Sequence, residues 1–402
     1  MRIGMMVDTY KPHISGITNY ISLNKRYLEQ AGHEVFVFTF GDEDYPDDEL
    51  NVIRSPGLHL FDTGMYFNVR HSRKAYNLMR TMDLIHVHHP FTSGALSISF
   101  CRPRGIPVIF TNHTRYDLYV QAYLPGVADL VSGTFVQTYL PIFCRSCDLV
   151  ISPSEGMRRV LARMGVEGPV DVIPNGVDLN PFRQPSAAQD RARFGFKPND
   201  VILIYSGRLG PEKNLQFLLR SFAGTAQAYD HVGLVLVGEG PERENLQDQV
   251  LQRGLKDRVH FTGMVPYSEM PCYLAMADAF VTASVTEVHP LSVIEAMAAG
   301  LPVLGIQSPG VGDTVEDGKT GFISPEEDLA AFTARMVRLV IDHENRKTMA
   351  AHARQAAENY AIEKTVQLIL QRYQKVIEQA SPRKNNLRAR TYRFLDRVGR
   401  VR

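Results

Sequence analysis

The chain has 402 residues, 22% charged and 44% hydrophobic, and at about 100–200 residues per domain it is long enough for two or three domains. A net charge of +1 excludes a whole-molecule pull toward nucleic acid. No stretch approaches the ~18 consecutive apolar residues of a membrane span, and four cysteines make no disulfide framework.

In chain order, Ile3–Val7 reads as a buried strand, Gly16–Ala31 as a helix and Val35–Phe40 as the next strand. The N-terminal strand lacks the apolar core of a signal peptide. Leu84–Val87, Val108–Thr111, Leu149–Ile151 and Val170–Ile173 are further strands with helical patterns between them. A proline-rich pause follows, with a linker expected near 178–198. The alternation restarts with Val201–Tyr205, a helix from about Asn214, Leu234–Val237, Val259–Thr262, Phe280–Ala283 and Pro302–Gly305. Strands that alternate with helices argue an α/β protein with parallel sheets covered on both faces. The expected organisation is two Rossmann-like, doubly wound domains, 1–178 and 199–360, facing a cleft. A helix over 361–380 would return to the first domain, and Ser381-Pro382 would end it. The rest, 381–402, is a basic tail: residues 383–402 hold eight basic side chains and one acid, which leaves residues 1–382 at −6.

The segment running from Ser284 through Glu287-Val-His-Pro290 and Leu291-Ser292 to Glu295 and Gly300 carries the most chemistry. A strand ends in a loop holding Glu287, and Pro290 stands where a helix would begin. Glu295 lies about one turn into that helix. The free N–H groups and positive dipole end of such a helix favour a phosphate. Carboxylates on either side suit the hydroxyls of a nucleotide-sugar. A second strand, loop and helix start, Tyr205-Ser-Gly-Arg-Leu-Gly-Pro-Glu-Lys213, offers Arg208 and Lys213 to a diphosphate. Val237-Gly-Glu-Gly-Pro241 is a third such turn, where Gly238 can approach a ligand closely or simply turn the chain.

Arg208…Lys213, Val237–Pro241, Val259–Gly263 and Glu287-x7-Glu295, in that order and spacing, together resemble the family 4 retaining glycosyltransferases of the GT-B fold. The resemblance implies that Arg208 and Lys213 bind the diphosphate, Glu287 the transferred sugar and Glu295 the ribose. It also implies that the backbone at Val265 reads the base and that Gly16 lets its loop approach the donor. The family's Gly-Phe-Gly is here Val288-His289-Pro290, so His289 either contacts the sugar or sits at the rim. The family mechanism is a same-face substitution in which the leaving phosphate helps deprotonate the incoming hydroxyl. Arg208, Lys213 and the helix N-terminus would stabilise the charge that develops. That scheme expects no metal and no cofactor. Asp42-Glu-Asp44, with Asp47, Asp48 and Glu49, reads as a solvated acidic loop. Cys144-Arg-Ser-Cys147 reads as packing thiols, and His86 and His88 as one face of a strand end.

His113 matches the histidine that the family carries near the reacting centre. The run His113-Thr-Arg-Tyr116-Asp117-Leu-Tyr119 is narrower in distribution and resembles the bacterial diacylglycerol glycosyltransferases and their sulfoquinovosyl relatives. The alternative for these tyrosines is a packed aromatic helix face. On a helix, Arg390, Arg393 and Arg397 form a stripe beside Phe394 and its apolar neighbours, which suits an anionic bilayer surface; a solvated end is the alternative. Arg70, Arg73 and Lys74, with Arg80, form a second basic patch in the first domain. The expectation is a cytoplasmic, peripherally membrane-bound enzyme that moves a hexose, glucose from UDP-glucose first, onto diacylglycerol, with no nucleic-acid partner and no oligomeric state assigned. A soluble sugar, sugar-phosphate or polysaccharide acceptor stays open. So do a sugar-nucleotide epimerase and a catalytically silent binding protein.

Overall fold

A computed structural model describes residues 1–60, 65–68, 70–118, 133–326, 328–384, 389 and 391–392. The first half contributes β1 (Arg2–Met6), β2 (Glu34–Phe40), β3 (Val52–Ser55), β4 (Leu58–Leu60), β5 (Met65–Phe67), β6 (Leu84–Val87), β7 (Val108–Thr111), β8 (Leu149–Ser152) and β9 (Val170–Val172). Seven of these form a parallel sheet in the order β3-β2-β1-β6-β7-β8-β9, and β4 and β5 make a small antiparallel pair. The second half contributes β10 (Val201–Ser206), β11 (Val232–Val237), β12 (Val259–Gly263), β13 (Ala279–Val281), β14 (Val303–Ile306) and β15 (Gly321–Ser324). These form a parallel sheet in the order β12-β11-β10-β13-β14-β15.

Both sheets reverse direction of growth beside their first strand, between β1 and β6 and between β10 and β13. Such switch points open a crevice beyond the carboxyl ends of the strands, where ligands bind. The central strands are apolar on both faces because helices cover both sides. All six residues of β10 and all six of β11 are buried.

Among the described residues, the helix Ile362–Lys384 is the last long element. Its residues Ile362, Val366, Ile369, Tyr373 and Val376, spaced by four and three, are buried with Ile3, Val7, Leu84 and Ile109 in the first domain's core. This is the expected return across the molecule, and each such side chain contributes roughly 1.5–3 kcal/mol of transfer free energy. The helix does not stop at Ser381-Pro382 but continues to Lys384. A proline removes one i→i−4 bond, and the helix runs on past that loss.

The expected linker is packed rather than extended. Val177, Leu179, Phe182 and Phe196 are buried against the helices Met270–Ala275 and Leu291–Ala299. Val177 N also donates to Tyr360 O at 2.9 Å, and Ile362 N to Val177 O at 3.0 Å. The prolines of this segment break regular structure, while the apolar residues between them still find a core.

Candidate active site

Two loops of the second domain meet at an ion pair. Lys213 sits in the turn after β10, and its Nζ lies 2.7 Å from Oε1 of Glu287 in the loop after β13. Burial alone would raise the Glu287 pKa. The Lys213 charge and hydrogen bonds from Lys213 and Ser284 outweigh burial and bring it below its ordinary value, so the carboxylate is ionised. Its backbone is held as well, since Gly310 N donates to Glu287 O at 3.0 Å.

The helix Leu291–Ala299 begins immediately beyond, with Pro290 as an extended N-cap that supplies no side-chain hydrogen bond. The first-turn amides, those of Leu291 and Ser292, therefore receive no side-chain cap and lie beside the ion pair, the arrangement that favours an anion. One turn in, Glu295 is only 5% exposed. Burial raises its pKa to about 7, opposed by a hydrogen bond from Tyr267 Oη at 2.8 Å.

Arg208 is exposed after β10, with its carbonyl fixed by Tyr205 Oη at 2.9 Å. The first domain reaches it. Burial first, then the Arg208 charge and His89, lower the pKa of His13. Gly238 adopts φ +138°, and a Cβ there would sit 1.9 Å from Gly207 O, so only glycine closes β10 against β11. Val265 packs half-buried on the second core. At Gly16 a Cβ would meet nothing within 4 Å, so packing does not require glycine there.

His289 is held against the first domain by Asn175. It is 5% exposed, its Nδ1 accepts from Asn175 N at 3.3 Å, and its carbonyl accepts from Asn175 Nδ2 at 2.9 Å. Burial drops its pKa to about 3, so it is neutral. Its neighbour Val288 is buried with the first domain's core. The Val-His-Pro departure from the family pattern is therefore a joint between domains.

On the facing wall, His113 follows β7, and its Nε2 lies 3.0 Å from Nδ1 of His88. Tyr116 is 7% exposed and edge-on to Phe91 at 5.1 Å, a member of the packed core, with its Oη buried and unpartnered among the described residues. The packed-aromatic alternative thus describes its ring, and only its hydroxyl is left over. Asp117 is paired with Arg115 at 2.7 Å. Arg70, Arg73 and Lys74 are exposed, but His71 within that run is buried and stacked on Phe40 at 4.7 Å. Tyr119, Arg390, Arg393, Phe394 and Arg397 lie outside the described residues. The tail's Ala389 is buried, and the Tyr392 ring lies 5.3 Å from the guanidinium of Arg104, itself 3.9 Å from the Phe100 ring.

The acidic loop is not simply solvated. Asp47 pairs with Arg54, Asp48 with Lys11 at 3.2 Å, and Glu49 accepts from Tyr10 Oη at 2.9 Å and Ser22 Oγ at 2.6 Å. These acids brace the turn that leads to Gly16. Among the described residues, no group of three His, Cys, Asp or Glu is placed to hold a metal ion, and all four cysteines are free thiols.

Several site-forming residues carried no motif. Tyr267 and Asn175 act through contacts distant in sequence. Asp8 accepts from Ser93 N at 2.7 Å, and its place just past β1, at a strand's carboxyl end, is the signal that could have found it.

Residues 14–181 match the family described as Glycosyltransferase Family 4, and residues 186–356 the family described as Glycosyl transferases group 1. An alpha-monoglucosyldiacylglycerol synthase of Streptococcus pneumoniae is 34% identical over 82% of this chain and 77% of its own length. One from Acholeplasma laidlawii is 28% identical over 82% of this chain and 86% of its own. Among solved structures, sucrose-phosphate synthase from Thermosynechococcus elongatus aligns with TM-score 0.78 at 21% identity, over 94% of this chain and 99% of that one. Anabaena HepE in complex with UDP and glucose aligns with TM-score 0.75 at 20% identity, over 93% of this chain and 100% of that one. These likenesses establish the two-lobed GT-B fold.

Proposed function

The chain belongs to the nucleotide-sugar-dependent glycosyltransferases of family 4, and on that footing we propose that it transfers glucose from UDP-glucose to the free hydroxyl of diacylglycerol, with retention, giving an α-glucosyl lipid. The observation that carries this reading is the Lys213–Glu287 ion pair beside the N-terminus of the helix Leu291–Ala299, which carries no side-chain cap. Its support for the lipid acceptor is the likeness to the two alpha-monoglucosyldiacylglycerol synthases.

In this scheme the diphosphate lies between the amides of Leu291 and Ser292 and the cations Arg208 and Lys213. Glu287, held ionised, accepts hydrogen bonds from hydroxyls of the glucose. Glu295 takes the ribose hydroxyls in place of Tyr267 Oη, and the backbone at Val265 reads the base. As the sugar–phosphate bond breaks, negative charge grows on the departing diphosphate, where the cations and amides already point. Donors fixed in advance at such a centre are worth ~10²–10³ in rate each. The leaving phosphate oxygen takes the proton of the incoming hydroxyl on the same face of the sugar. No metal enters this scheme.

Tyr116 Oη and Asp117 border the acceptor. The surface of Arg70, Arg73, Lys74 and Arg80, extended by Arg104 and the tail, meets an anionic lipid headgroup layer at the cytoplasmic face. Among the described residues no helix is long and apolar enough to cross a membrane. The test is incubation with UDP-glucose, UDP-galactose or GDP-mannose over liposomes of diacylglycerol and anionic phospholipid, read by mass spectrometry of the lipid extract. A species one hexose heavier than diacylglycerol with UDP-glucose alone is expected. Donor consumption only when a soluble extract is added would replace the lipid acceptor by a soluble one.

A further inference from the structure

We propose that His88 is a positioning residue for transfer: its Nδ1–H donates to Nε2 of His113 and so holds the His113 proton on Nδ1, the nitrogen that no described protein group occupies. His88 sits just past β6, wholly buried, with its backbone N donating to Met6 O at 2.9 Å. Its Nδ1 lies 3.0 Å from His113 Nε2. Burial, reinforced by neighbouring histidines, holds both rings neutral, so a single proton lies between them.

Which ring supplies it follows from the other side of His88. His88 Nε2 is buried and has no partner among the described residues. Were the proton there, an N–H would be sealed in the interior with nothing to accept it, and buried orphan donors are rarer than under-satisfied acceptors. The proton therefore sits on His88 Nδ1. His113 then accepts at Nε2, and a neutral imidazole with one nitrogen accepting carries its hydrogen on the other.

The surroundings hold both rings in place. His86 lies 4.3 Å from the His88 ring, and is itself held by Tyr373 Oη at 2.6 Å and Thr111 Oγ1 at 2.7 Å. Tyr20 packs edge-on against His113 at 4.7 Å. Tyr373 belongs to the returning helix, so that helix helps to hold the His86 ring against which His88 packs.

The consequence is chemical. His113 offers ligands an N–H donor, suited to a hydroxyl oxygen of the transferred sugar, and cannot take a proton at that nitrogen. The incoming hydroxyl must lose its proton elsewhere, as in the scheme where the leaving phosphate receives it. This consequence rests on the proposed reading of His113 as a sugar-facing residue, while the tautomer itself does not.

The test has two arms. In the full chain labelled with ¹⁵N-histidine, long-range proton–nitrogen correlation reports which nitrogen of His113 is protonated, with His113→Gln used for assignment. The Nδ1–H tautomer is expected, and an Nε2–H tautomer overturns the proposal. In the second arm, His88→Leu lowers kcat by roughly tenfold to a hundredfold, the scale known for loss of a group that orients a metal-ligating histidine, with the Kd for UDP unchanged. His88→Asn, which keeps an N–H near the Nδ1 position, restores much of the rate. In a His113→Ala background, His88→Leu causes no further loss; equal losses in both backgrounds overturn the positioning role. If His88→Leu does not fold, the tautomer measurement decides. If the wild-type chain glucosylates no diacylglycerol yet shows the Nδ1–H tautomer, the acceptor reading fails and the assignment of the proton stands.

Discussion

The two walls of the cleft are built from opposite electrostatic materials. The second domain presents formal charges: Lys213 paired with Glu287, Arg208, and a helix end without a side-chain cap. The first presents His86, His88, His89 and His113, all pushed toward the neutral form chiefly by burial. In the proposed reaction the charge would hold the diphosphate and stabilise it as it leaves, and the neutral wall would face the uncharged sugar through His113. A charged histidine wall would attract the phosphate to the wrong side.

The largest expected effect tests the charged wall. Glu287→Ala removes the acid paired to Lys213, and transfer falls by at least ~10²-fold, the scale set by loss of one preorganised polar group, while circular dichroism shows the fold retained. Wild-type turnover in this variant would remove the sugar-holding role. Truncation after Tyr392 comes next. It deletes four arginines and one aspartate but spares Ala389 and Tyr392, which pack on the first domain. At about 1 kcal/mol per basic residue near an anionic surface, sedimentation with anionic liposomes drops steeply and binding to neutral liposomes barely changes. Equal loss on both would mean that the tail contributes packing rather than charge.

A smaller effect comes from Glu295. Its pKa is raised by burial to about 7, so its favourable contribution to folding is full below the ordinary carboxylate pKa and is lost as pH rises through 7. Ribose hydroxyls donate best to the ionised form, so UDP affinity should rise by a few-fold from pH 6 to pH 8. Glu295→Gln cancels titration of the phosphate itself, and an identical pH profile in that variant would clear Glu295 of the effect. The neutral wall should add no inflection in kcat over the same range. The smallest expected effect is none: EDTA leaves activity intact, and a loss restored by Mn²⁺ would reopen the Asp42–Asp44 loop as a metal site.

How legible the molecule was depends on what each residue answers to. Strands at Leu84–Val87 and Val108–Thr111 form over the expected residues because continuous apolar runs flanked by turns have one stable use. β3, β4, β5 and β15 went unread, and each is only three or four residues long, too short for a period to show. At the site, the sequence singled out Arg208, Lys213, Glu287 and Glu295 as charged residues at strand-to-helix turns, and the structure pairs two of them, Lys213 and Glu287. Tyr267, Asn175 and Asp8 were not singled out, since each acts through a partner on a different element.

The sequence by itself determined the alternation of strands and helices, the two-domain architecture and the line of donor-side charges. These follow from local periodicity and from residues read a few positions apart. Only the tertiary structure decided that His289 bonds to Asn175 of the first domain, that the acidic loop braces the Gly16 turn, and that His88 lies against His113. Those outcomes depend on burial and on pairings across 114, 27 and 25 residues of chain. Desolvation changes the charge of a histidine or a carboxylate only once the fold has closed around it.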